Sequence, residues 1–187
     1  MRIALILAAM LFASPLQAEV VQKSDAGFVV HGESTIARTP LEIWTSLVAP
    51  AKWWDKAHSW SGESANLYID AQATGCFCEL LPVAKDAPAG TRRGSVEHMH
   101  IIFSDPGKLL RMSGALGPLQ GEAAHGTLTV SLKPAGAATM LSWEYVVGGY
   151  LRLPVDQIAP AVDGVLKEQF AHLAAVLEPP AEPLEKP

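Results

Sequence analysis

The sequence predicts an α+β fold, in which one curved antiparallel sheet of about six to seven strands surrounds a long C-terminal helix, with one or two short helices after the first strand. Three observations predict it. Segments of period two recur between residues 67 and 147 and are separated by short turns. An amphipathic stretch with helical spacing follows them, and a capped helix start lies just after the first alternating segment. Strands joined by short turns form an antiparallel meander. A curved sheet folded about one helix is the simplest arrangement that buries that helix's apolar stripe.

The chain has 187 residues and a net charge of −5. Arg2 precedes an unbroken apolar run over residues 3–12, and Ser14-Pro15 breaks it ahead of Leu16-Gln17-Ala18. A positive start, a short apolar core and a small residue before a cut are the pattern of a secretory signal peptide, expected over residues 1–18. The run falls short of the roughly 20 apolar residues that a membrane span needs. No Cys follows the cut, which argues against a lipid anchor. The expected location is outside the cytoplasm, in the periplasm, with no stable membrane insertion. Residues 19–178 have the length of one domain. A mildly acidic chain with scattered Lys and Arg has no footprint for nucleic acid. The proline-rich residues 179–187 cannot continue a helix and are expected to be a disordered tail.

Residues 28–36 alternate, with Phe28, Val30, Ser34 and Ile36 on one face, and predict the first strand. Thr39-Pro40-Leu41-Glu42 then reads as a helix start: Thr39 accepts from the N–H of Glu42, Glu42 reaches back, and Pro40 sits where no N–H is needed. Leu41, Trp44, Leu47 and Val48 give that helix its stripe, and Pro50 stops it. A second short helix or loop carries Trp53 and Trp54. Strands are predicted over residues 67–70, 76–81, 95–103, 109–113, 127–133 and 139–147. Asp105-Pro106-Gly107-Lys108 predicts a type II turn, with Pro and Gly at its two centres. The closing helix carries Ile158, Val162, Val165, Leu166, Phe170, Leu173 and Leu177 on one face. Pro160 is expected in its first turn, or between a short turn and the helix proper.

The Thr-Pro-x-x-x-Trp start, the Trp53-Trp54 pair, the meander and the closing Val162-Asp163-Gly164-Val165-Leu166 resemble the START-like (SRPBCC, helix-grip) superfamily. That group includes polyketide cyclases and dehydrases, lipid-transfer domains and homologues of the heat-shock ATPase activator. The resemblance spans residues 27–177. It is greatest to exported members carrying Trp-Trp, Ser61-Gly62, Cys76-Phe77-Cys78-Glu79 and Leu116-Gly117-Pro118-Leu119-Gln120. It implies a cavity between sheet and long helix. One fold here hosts carriers, cyclases and co-chaperones, so it does not by itself fix a function. The co-chaperone role suits an exported protein badly.

The favoured expectation is therefore a carrier of a small apolar molecule, needing no cofactor. Trp53, Trp54, His58 and Trp60 could line a pocket mouth on a Ser- and Gly-containing connection, or plug the open end of the sheet as core. Leu116 and Leu119 lie in a loop that either crosses that mouth, where both could touch a ligand, or is an ordinary hydrophobic loop anchored into the core. Trp143 and Phe170 are inward candidates that either touch a ligand or fill the space it would take. A cyclase- or hydratase-like enzyme is the alternative. There is no G-x-S-x-G elbow, no H-E-x-x-H and no phosphate loop. Glu79 and Glu97, on strands that could be neighbours, are the candidate acids or bases, and outward-facing polar side chains would explain both equally well. A third reading is metal- or redox-linked. Cys76, Cys78, His98 and His100 would share a face if their strands paired with an even offset, although the spacing departs from recognised zinc patterns. Two strand residues two apart lie roughly 6.6 Å from one another, near the upper limit for a disulfide. The expectation is two buried free thiols, two hydrogen-bonded histidines and no metal.

Overall fold

A computed structural model describes residues 17–178. Most of the expected signal peptide, residues 1–16, and the expected tail, residues 179–187, lie outside the described residues. Eight strands form one antiparallel sheet in the order β1-β2-β8-β7-β6-β5-β4-β3, curled about the C-terminal helix. The strands are β1 Gln17–Ser24, β2 Gly27–Ile36, β3 Leu67–Ile69, β4 Cys76–Leu80, β5 Ser95–Asp105, β6 Leu109–Gly114, β7 Ala123–Ala135 and β8 Ala138–Tyr150; the helices are α1 Pro40–Leu47 and α2 Val155–Leu177. Short 3-10 turns at Pro50–Lys52, Lys56–His58, Ser64–Asn66 and Gly117–Gly121 shape the connections. Among the described residues no helix is long and apolar enough to cross a membrane.

The expected capping box closes α1, with Thr39 and Glu42 bonded in both directions. Ile43, Trp44 and Leu47 are its buried residues, whereas Leu41, assigned to the stripe from sequence, is exposed. Gly107 adopts φ +76° in the Pro-Gly turn, and the Lys108 N–H donates to the Asp105 carbonyl at 2.9 Å. That left-handed conformation is what a type II turn requires at its third position. The α2 helix runs unbroken through Pro160, so proline ends no separate turn there.

One strand, β1, was not expected, and the sheet has eight strands where six to seven were. Its first two residues, Gln17 and Ala18, pair with Glu33 and Gly32 although they end the expected signal peptide. Val20 pairs with Val30 and Gln22 with Val29, leaving Val21 as an extra residue. One inserted residue flips the faces of the strand, so the alternation that marks a strand in sequence is missing.

A second bulge corrects the cysteine expectation. Phe77 pairs with Met99 and Cys78 with Glu97, so His98 on β5 is left without a partner across the ladder. The local geometry departs from regular pleating: Phe77, Cys78 and Glu79 are all buried in succession, and the Cys76 and Cys78 Cα atoms lie 5.4 Å apart. That separation is inside the bridging range, and the two cysteines form a disulfide. They are not free thiols.

Inside the sheet, the Trp143 ring on β8 stacks on Phe170 of α2 with centroids 5.3 Å apart, and Phe170 stacks in turn on Trp53 at 6.1 Å. Gly32 makes room for this, since a Cβ there would lie 2.5 Å from the Trp143 ring. The middle of the concave face is thus packed solid.

Candidate functional site

Beyond that aromatic stack, towards the N-terminal half of α2, packing gives out. A cavity of about 310 Å³ lies between α2 (Ile158, Ala161, Val162, Val165, Leu166), the connection 57–60 with Trp54, and the loop residues Leu116, Gly117 and Pro118. Of the residues expected to meet a ligand, Trp54, His58, Trp60 and Leu116 line it. Trp53, Leu119, Trp143 and Phe170 do not; all four are buried in the core. A hollow of about 630 Å³ lies along β5 to β7 by His100, Ser113 and His125. It is an open groove, whereas the smaller one is more enclosed.

Each wall has a local cause. The Trp53 indole N–H donates to the Ser46 carbonyl at 2.9 Å and the Trp54 indole to the His58 carbonyl at 3.0 Å, folding the connection on itself. Gln169 of α2, fully buried, accepts from the Asp55 N–H at 2.7 Å and ties that connection to the helix. The loop opposite hangs on Tyr145: its hydroxyl donates to the Gly114 carbonyl at 3.1 Å and accepts from the Leu116 N–H at 3.3 Å. Burial pushes that hydroxyl's pKa up to about 12, so it remains a donor.

The one buried titratable pair at the cavity is Glu79 with His98. Glu79 is fully buried and His98 is 5% exposed. The Glu79 carboxylate accepts from the backbone N–H of Trp60 at 3.1 Å and of Ser61, and His98 Nε2 lies 2.9 Å from its Oε2. Burial pushes the Glu79 carboxyl up, but the hydrogen bonds from Ser61, Trp60 and His98 outweigh it and hold the group below its ordinary value. Burial pulls His98 below its ordinary value against the pull of Glu79. At neutral pH the pair is a carboxylate and a neutral imidazole. A carboxylate only accepts, so Nε2 carries the ring proton and Nδ1 holds a lone pair. The Phe77 ring lies 4.9 Å from His98, with Trp54 edge-on to Phe77 at 5.1 Å.

The sequence had placed these two residues in separate groups, Glu79 with Glu97 and His98 with the cysteines. Glu97 is exposed, and His100 sits half-exposed with Nδ1 3.7 Å from it. The four-ligand Cys/His set does not form, because both thiols are in the disulfide and His98 is engaged by Glu79. Among the described residues the groups close enough to hold a cation are Asp55, Glu168 and His172, whose ligand atoms lie within 4.8 Å of one another. His58 Nε2 is 3.3 Å from Glu168, while Asp55 Oδ1 already caps the Ala57 N–H at 2.8 Å.

No family model matches this sequence, and no curated protein does. Solved structures do match in shape. CalU16 from Micromonospora echinospora, as its solution structure, superposes with a TM-score of 0.54 at 14% identity, over 94% of this chain and 80% of that one. A putative uncharacterised protein from Rhizobium leguminosarum gives 0.58 at 15%, over 88% and 99%. Protein MLL2253 from Mesorhizobium loti gives 0.56 at 16%, over 82% and 98%. Likeness at such low identity defines the class by shape alone: an α+β protein of helix-grip fold.

Proposed function

We propose that this is an exported protein that holds a small, largely apolar molecule in the cavity beside the N-terminal half of α2. The observation that carries the reading is the cavity itself, walled by Ile158, Val162, Val165, Leu166, Trp54 and Leu116, with His98 in its wall backed by the buried Glu79. Apolar linings with few polar groups are the usual composition of small-molecule sites. A ligand burying roughly 200 Å² of apolar surface there gains about 5 kcal/mol before the cost of association. Export is supported by the leader pattern of residues 1–18 and by the Cys76–Cys78 disulfide, a bond that persists in oxidising compartments. Intact mass of the protein recovered from the periplasm should lack those residues; retention of Met1 would overturn export.

The cavity is tested by an anilinonaphthalene dye. It should bind the native protein, and Val165→Trp, which fills the hollow from α2, should weaken binding at least about tenfold while leaving the thermal transition in place. Unchanged dye affinity would remove the carrier reading. A cyclase- or hydratase-like enzyme is the second reading, and the Glu79–His98 pair is what favours it. A neutral imidazole backed by a carboxylate is an arrangement suited to a general base. Recovery of the natural ligand chemically altered after incubation would support that reading over carriage.

A further inference from the structure

We propose that the cavity selects an uncharged apolar molecule carrying one hydroxyl-type hydrogen-bond donor, which His98 Nδ1 accepts. The inference deepens the carrier reading and rests on it. His98 is the residue left unpaired by the β5 bulge, and it belongs to the cavity wall. Its Nε2 is committed to Glu79 at 2.9 Å, which leaves Nδ1 as the ring nitrogen available to a ligand. With the proton on Nε2, Nδ1 can only accept. The ring is fixed from two sides, by Glu79 and by the Phe77 ring at 4.9 Å.

The other polar groups of this wall are largely spent. The Trp60 N–H serves Glu79, the Trp54 indole serves the His58 carbonyl, and His58 faces Glu168 at the exposed rim. The ligand's own charge follows from the same census. The lining contains no Lys or Arg, and the charge behind His98 is the Glu79 carboxylate. An anionic ligand would be brought towards a like charge with no counter-ion. A cation would lose its hydration against a carboxylate already bonded by Trp60, Ser61 and His98. A neutral hydroxyl meets neither penalty, and without an acceptor it would itself be stranded.

The test uses the folded, disulfide-bonded protein and three probes of one shape: 1-naphthol, 1-methylnaphthalene and 1-naphthoate. Affinities are measured by titration calorimetry. Naphthol should bind at least about threefold more tightly than methylnaphthalene, and naphthoate weakest, as one neutral hydrogen bond implies. His98→Phe should reverse the preference, changing the naphthol-to-methylnaphthalene ratio by about tenfold or more, because it strands the hydroxyl. Should that variant fail to fold with Glu79 left alone, the double variant His98→Leu with Glu79→Gln removes both polar partners and should give the same reversal. In the unaltered protein, nitrogen NMR should show the His98 Nδ1 resonance shifting with naphthol and not with methylnaphthalene. Equal affinities for the two neutral probes, or tightest binding of naphthoate, would overturn this assignment and leave the cavity standing. Binding of none of the three would overturn both.

Discussion

His98 occupies a position where strand geometry and chemistry coincide, because the bulge that removes its cross-strand partner also accompanies its burial beside Glu79. The pair makes the protein acid-sensitive in a direction that can be worked out. His98 is held below its ordinary value of 6.5, so below that pH the unfolded chain takes up a proton that the folded chain refuses. Stability is therefore complete above about pH 6.5 and declines as pH falls towards the lowered folded value. Glu79, held below 4.5, adds a second decline that begins beneath that value. Melting temperature followed from pH 8 to about pH 2 should fall in both windows. Glu79→Gln should remove the lower one and cost about 1–3 kcal/mol at neutral pH, as loss of a charged partner in a buried network does. A melting profile for Glu79→Gln that overlays the original would contradict the pairing.

Regular elements were legible where local chemistry decides them. The Thr39 and Glu42 box, the Pro106-Gly107 turn, the meander and the stripe of α2 all appear at their expected places. What could not be read is register. Strands with one extra residue, at Val21 in β1 and at His98 and Ile102 in β5, lose the alternation that reveals a face. The same bulge defeated the geometric argument against the Cys76–Cys78 bond, which assumed a regular pleat. The candidate site was half legible: the connection 57–60 and the loop at Leu116 were expected at a cavity mouth, whereas the pairing of Glu79 with His98 depends on cross-strand register. One position in α2 is open to improvement. Gly164 lies on the exposed side of the helix, and a methyl group there would touch nothing. Gly164→Ala should stabilise the protein by about 0.5–1 kcal/mol, seen as a higher denaturant midpoint at unchanged slope.

Across the whole molecule, large aromatics settle where the hollow can be. Trp143, Phe170 and Trp53 fill the centre of the concave face, so the space left lies at one end. This is why Trp53, Trp143 and Phe170, expected to bind a ligand, are core instead. Trp143→Ala should cost about 3–5 kcal/mol as a cavity-creating substitution. Its urea transition would report that loss, and a cost within 1 kcal/mol would mean that the stack is not the keystone described. The ladder from β2 to β8 joins residues 27–36 to residues 139–148, so the sheet cannot be completed until nearly all of the chain is available. Long-range closure of this kind slows folding. A ribosome-bound chain lacking its eighth strand has only β1 beside its second, leaving the other edge of β2 open, and its terminal helix has yet to emerge. On the proposed export, that delay would keep the polypeptide threadable until translocation is over, and the sheet, the disulfide and the cavity would then come into being together in the oxidising space beyond.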